Sequence, residues 1–108
     1  MKDDDYKRKE LFYDCVLTLK TQEECRVFFE DILARQELNA ICQRMEVARL
    51  LKLKYTYNTI AERTGASTAT ISRVNRSLIY GEGGYELAFE RIERKQEEET
   101  KKEKSQNE

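Results

Sequence analysis

The chain has 108 residues, 39 % apolar and 38 % charged, with no proline, tryptophan or histidine and a net charge of −1. Its charged ends leave about 80–90 residues to fold as one domain, a size at which a partner often completes the core. The absence of proline suits an all-α chain. No apolar run approaches the ~18–20 residues that span a bilayer and no signal peptide precedes Met1, so the cytoplasm is the expected location, with no membrane partner.

In chain order, residues 1–9 read as a charged N-terminal arm, Asp3-Asp-Asp5 followed by Lys7-Arg-Lys9, expected to be mobile. Residues 10–92 read as the folded helical domain. Leu11, Phe12, Cys15, Val16 and Leu19 have the spacing of a short amphipathic helix. Thr21-Gln-Glu-Glu24 is a capping box that opens a second helix, with Cys25, Phe28, Phe29, Ile32 and Leu33 on one face. These two helices carry more apolar stripe than one small core absorbs, which points to a homodimer interface. A third helix is expected over Gln36 to Leu53, lined by Leu38, Ile41, Cys42, Met45, Ala48 and Leu51 and widened by Val47 and Leu50. Lys52 and Lys54 at its end are placed to touch phosphates.

The segment 56–78 carries the clearest pattern. Thr56 and Ser67 are N-cap residues for two short helices, and Gly65 falls where the connecting turn favours positive φ. Ile60 and Ala61 face inward from the first helix, while Ile71, Val74 and Leu78 form the buried stripe of the second. This is the helix-turn-helix arrangement. An ordinary αα-hairpin shares its spacing but needs no basic outer face. Here a wheel at about 100° per residue turns Ala69, Ser72, Arg73 and Arg76 outward, flanked by Thr68 and Asn75. Small and hydroxylic residues allow close approach to base edges in a major groove, and Arg76 suits a phosphate. Charge agrees. Residues 35–80 hold eight basic and three acidic side chains, whereas residues 1–34 and 82–108 each hold six basic and nine acidic.

Tyr80-Gly-Glu-Gly-Gly84 reads as a turn rather than a phosphate loop, since it follows a helix and lacks a Gly-Lys-Ser/Thr ending. Tyr85, Ala88, Phe89 and Ile92 define a last helix, which is expected to fray into a solvated tail over 93–108. Cys15, Cys25 and Cys42 lack a C-x-x-C spacing and read as buried small residues, without a disulfide or metal. No histidine, carboxylate pair or Ser/Lys dyad can be placed for catalysis, so an enzyme is not expected.

Thr64-Gly-Ala-Ser-Thr-Ala-Thr-Ile-Ser-Arg-Val-Asn-Arg-Ser-Leu78 resembles the recognition region of the bacterial Trp repressor family. Tyr57-Asn-Thr-Ile-Ala-Glu62 and Leu78-Ile-Tyr-Gly-Glu-Gly-Gly-Tyr85 are similar to its YerC/YecD group. The resemblance implies about six short helices, an intertwined dimer and one helix-turn-helix per chain docked on double-stranded DNA. It places base contacts on Thr68, Ala69 and Ser72, beside Ser67, and a further contact on Asn58. It also matches Arg73, Thr70, Ser77 and Arg44 to positions lining an effector site. Val74 replaces a glycine of that site and Ala34 a threonine, which argues against tryptophan as corepressor, and no cofactor is expected. The resulting expectation is a dimeric, sequence-specific transcriptional regulator, a repressor. The alternative is a protein-interaction module of the transcription machinery built on the same bihelical unit.

Overall fold

The computed structural model describes residues 2–107 and divides into two units, one up to Ala40 and one from Ile41 onward. The described residues form six helices: α1 (Lys2–Leu17), α2 (Gln22–Ile32), α3 (Arg35–Lys52), α4 (Tyr57–Thr64), α5 (Thr68–Tyr80) and α6 (Gly84–Asn107). There is no strand among the described residues. The fold is all-α, as the sequence indicates, and α3 runs through the boundary between the units.

In the first unit, Thr21 caps α2 by accepting from the Glu24 N–H at 3.1 Å. The Glu24 carboxylate reaches back to the Lys20 N–H at 3.2 Å, so the capping box closes one residue earlier than the Thr21–Glu24 pairing implies. Arg26 bridges Glu23 and Glu30 along the same helix and holds the Glu23 carboxyl below its ordinary value. Phe12 of α1 stacks on Phe28 of α2 with centroids 6.2 Å apart. Yet no described residue of this unit is buried. Leu11, Tyr13 and Leu17 are well exposed, as are Val27 and Ile32.

The second unit holds the core. Val47, Ala48 and Leu50 of α3 meet Ile60 of α4, Ala66 of the turn, Ile71 and Val74 of α5, and Phe89 of α6. Ile60, Ile71 and Val47 are fully enclosed, each contributing about 1.5–3 kcal/mol by burial. Among the described residues, every buried apolar side chain therefore lies around the helix-turn-helix.

Three expectations are revised. The charged segment 2–9 is the start of α1, where Asp3, Asp4 and Asp5 face the positive end of the helix dipole and Asp5 pairs with Arg8 at 3.9 Å. Residues 93–107 continue α6, a run of good helix formers with an Arg94–Glu90 ion pair, while Met1 and Glu108 lie outside the described residues. Finally, the cysteines are not buried: Cys15 and Cys25 are partly exposed and Cys42 is exposed. At about 100° per residue, Cys42 falls roughly opposite the Val47, Ala48 and Leu50 side of α3.

Candidate nucleic-acid interface

The local chemistry of α4 and α5 begins with twin caps. Thr56 (φ −71, ψ 157) accepts from the Thr59 N–H at 3.2 Å, and Ser67 (φ −70, ψ 157) accepts from the Thr70 N–H at 3.1 Å. Each cap hydroxyl also donates to the side chain of its partner, Thr59 Oγ1 at 2.9 Å and Thr70 Oγ1 at 3.0 Å. Between the helices Gly65 adopts φ 74, ψ 4, and its N–H closes on Ala61 O at 2.9 Å. This left-handed cap is the conformation that a side chain disfavours. Thr64 completes the turn: its hydroxyl donates to Ile60 O at 2.7 Å and accepts from the Ala66 N–H at 3.1 Å.

With Ile71 and Val74 buried, the opposite face of α5 turns to solvent. Thr68, Ala69, Ser72, Arg73 and Arg76 are all exposed there, and Asn75 is partly buried. Ser67, whose hydroxyl serves the cap, is exposed at the same end, and Asn58 is exposed on α4. Thus α5 presents two guanidiniums and a small, hydroxyl-bearing N-terminal turn on one surface. Among the described residues the ion pairs lie on α1, α2 and α6 only, so none ties up Arg73 or Arg76. Lys52 is exposed, but its ammonium lies 5.8 Å from the Phe89 ring centroid, so it is turned toward the core edge.

Lys54 is held in a way that its sequence did not announce. It closes α3 in the left-handed conformation at φ 69, with its N–H on Leu51 O and the Tyr55 N–H on Leu50 O. That is the two-bond helix stop that usually takes glycine. Gln43 was likewise missed. Its Nε2 donates to the Thr64 carbonyl at 3.1 Å, a tie between residues 21 apart that no local motif signals.

Of the positions matched to an effector site, Arg44 and Ser77 line one cleft of about 540 Å3, together with Ile41, Met45, Gly81, Glu82 and Tyr85. Thr70 and Arg73 are not among its lining residues, and Val74 is 2 % exposed inside the core. Gly81 is fixed by a close approach, since a Cβ there would stand 2.4 Å from Ser77 O. Among the described residues no group of Cys, Asp and Glu converges to hold a metal. No described helix is long and apolar enough to cross a membrane.

Comparison with known proteins agrees with this geometry. The family model of the Trp repressor protein matches residues 7–93. The uncharacterized protein YerC of Bacillus subtilis is 47 % identical over 94 residues, covering 85 % of this chain and 90 % of that protein. Two solved structures have the same fold. A TrpR-like protein from Eubacterium eligens is 52 % identical with a TM-score of 0.75, covering 77 % of this chain and 86 % of the other. A candidate Trp repressor from Staphylococcus aureus is 43 % identical with a TM-score of 0.78, covering 80 % and 86 %.

Proposed function

This chain belongs to the Trp repressor family, whose fold is that of a DNA-binding regulator, and from that premise we propose a homodimeric, sequence-specific transcriptional repressor. The observation that carries the reading is the exposed face of α5, where Thr68, Ala69, Ser72, Arg73 and Arg76 stand together opposite a sealed apolar stripe. Thr68, Ala69 and Ser72 meet base edges. Arg73, Arg76 and Lys54 meet phosphates, whereas Lys52 would have to leave the Phe89 ring to do so, and Asn58 and Ser67 approach the backbone from α4 and the α5 cap. Small side chains at the start of α5 let the helix sit deep in the groove, and the cations supply the non-specific attraction.

Dimerisation rests on the first unit. A pair of helices with no buried residue cannot offset the entropy of ordering its chain, so a second copy supplies the missing cover. A groove of about 450 Å3 lined by Leu19, Val27, Phe28 and Ile32 is part of that unfinished surface. Two copies then present two α5 helices to half-sites about 34–36 Å apart on one face of DNA. Selection from random duplex DNA, followed by titration of the recovered site over a salt series, tests the reading. A recurrent sequence bound with a steep negative salt slope is the expected result. No preference among duplexes would leave the interaction-module reading in its place.

A further inference from the structure

The core of the second unit is apolar, and apolar packing has no direction. Among the described residues eight buried ones fill it, all of them Val, Ala, Leu, Ile or Phe, and no polar side chain is buried. Such a core holds α3 against α4 and α5 firmly but sets their relative rotation only through shape. One polar contact supplies direction. Gln43 Nε2 donates to the Thr64 carbonyl at 3.1 Å in a partly buried setting. Among the described residues, all other side-chain hydrogen bonds join residues two to four apart.

The acceptor is significant. Thr64 is the last residue of α4, so its carbonyl has no partner within the helix. The next residue is Gly65 in the left-handed conformation, and the nearest atom to a Cβ built there is Gln43 Nε2 at 4.0 Å. The amide of Gln43 therefore sits over the corner of the helix-turn-helix. The Thr64 hydroxyl is engaged with Ile60 O and the Ala66 N–H, so the corner is tied on both sides.

The geometry points to Gln43 as a positioning residue for DNA specificity: it touches no base, but it pins the turn to α3 and so fixes the attitude at which α5 is presented. The inference rests on the proposed DNA reading and adds a residue of α3 to it. A dimer needs such a pin, because base contacts by two recognition helices must be made in register. Phosphate contacts through long, flexible cations tolerate a small rotation; short side chains such as Ala69 and Ser72 do not.

The test uses the full chain and two variants, Gln43→Met, which keeps length without the donor, and Gln43→Glu, which sets a carboxylate against a carbonyl. The DNA probes are the duplex recovered by selection with the wild type and a shuffled duplex of the same length and composition. For Gln43→Met, helicity and the affinity and salt slope on shuffled DNA are expected within twofold of wild type. Affinity for the selected duplex is expected to fall about three- to tenfold, the size of one lost hydrogen bond, and further for Gln43→Glu. An unchanged ratio of selected to shuffled binding in a folded Gln43→Met, or an equal loss on both probes, overturns the inference. Residual dipolar couplings on the free protein separate the two readings: a changed α3–α5 angle in Gln43→Met supports the positioning role even if no DNA is selected, and an unchanged angle ends it. If neither variant folds, the through-bond coupling between Gln43 Nε2 and the Thr64 carbonyl carbon in the wild type decides, and its absence overturns the inference.

Discussion

Ser67 and Thr70 hold each other twice: the Ser67 hydroxyl accepts from the Thr70 N–H at 3.1 Å and donates to Thr70 Oγ1 at 3.0 Å. The same hydroxyl thus caps α5 and orders the first turn that is proposed to enter the groove. Ser67→Ala is expected to cost about 0.5–2 kcal/mol of stability by thermal or urea melting. Ser67→Asp restores the cap, because a carboxylate accepts from the same N–H and suits the helix N-terminus. It also sets a negative charge toward phosphate, so DNA affinity should fall while the melting temperature recovers. Affinity that recovers together with stability would remove Ser67 from the DNA-facing surface.

Lys54 occupies a left-handed position at φ 69 where glycine is easier. A side chain in that conformation costs about 1 kcal/mol. Lys54→Gly is therefore expected to stabilise the chain by about 0.5–1 kcal/mol and to weaken binding to all duplexes, with the salt slope reduced by roughly one per subunit. Gain of stability without change in the salt slope would make Lys54 a helix stop and nothing more.

The elements most legible in the sequence are those fixed by neighbours along the chain. Thr56, Gly65 and Ser67 announce the two helices of the motif because caps and left-handed turns are settled within about four residues. Ile71 and Val74 follow, since helical spacing alone puts them on one side of α5. What escaped depends on distance or on choice among equals. Gln43 meets Thr64 only once the chain has folded. Lys54 takes a conformation whose usual marker, glycine, is absent. On α3 the apolar residues nearly encircle the helix, so the sequence could not tell that Cys42 lies away from the core. The Glu- and Lys-rich end of α6 has the composition of both a solvated tail and a solvated helix.

Ala69 and Arg76 separate specific from general binding. Ala69 is exposed on α5, and in the proposed docking it lies against a base edge, so Ala69→Glu should abolish preference for the selected site, about 1–3 kcal/mol or more per lost base contact. Arg76→Ala should weaken all duplexes about equally and lower the salt slope by roughly one per subunit. Circular dichroism controls for folding, as both side chains are exposed. Selective binding that survives Ala69→Glu would clear α5 of the reader's role.

The exposed apolar surface of the first unit predicts a melting temperature that rises with protein concentration. Val27 is 49 % and Ile32 is 48 % exposed, and both line the groove rimmed by Glu23, Glu24 and Asp31. Val27→Asp places a charge in that groove and should shift sedimentation toward the monomer at micromolar concentration, with loss of helicity in α1 and α2. A wild-type chain that sediments as a folded monomer would end the dimer proposal.

Free tryptophan is expected not to act as corepressor. Val74 is 2 % exposed and packs with Ile71 and Phe89, so no space for an indole ring remains beside it. Opening that space by Val74→Gly removes a core side chain and places glycine inside α5, at a cost of about 2–4 kcal/mol. The residues matched to an effector site are also divided in space. Arg44 and Ser77 line the cleft of about 540 Å3, whereas Thr70 is engaged with Ser67 and Arg73 lies on the exposed face of α5. A ligand held by Arg44 in that cleft would meet a lining that includes Ile41, Met45, Glu82 and Tyr85 but not Val74. DNA binding should therefore need no added tryptophan, and calorimetry at millimolar tryptophan should show no saturable heat. Saturable heat together with tryptophan-dependent affinity for the selected duplex would mean that Val74 moves aside, and the packing of α5 would have to be read again.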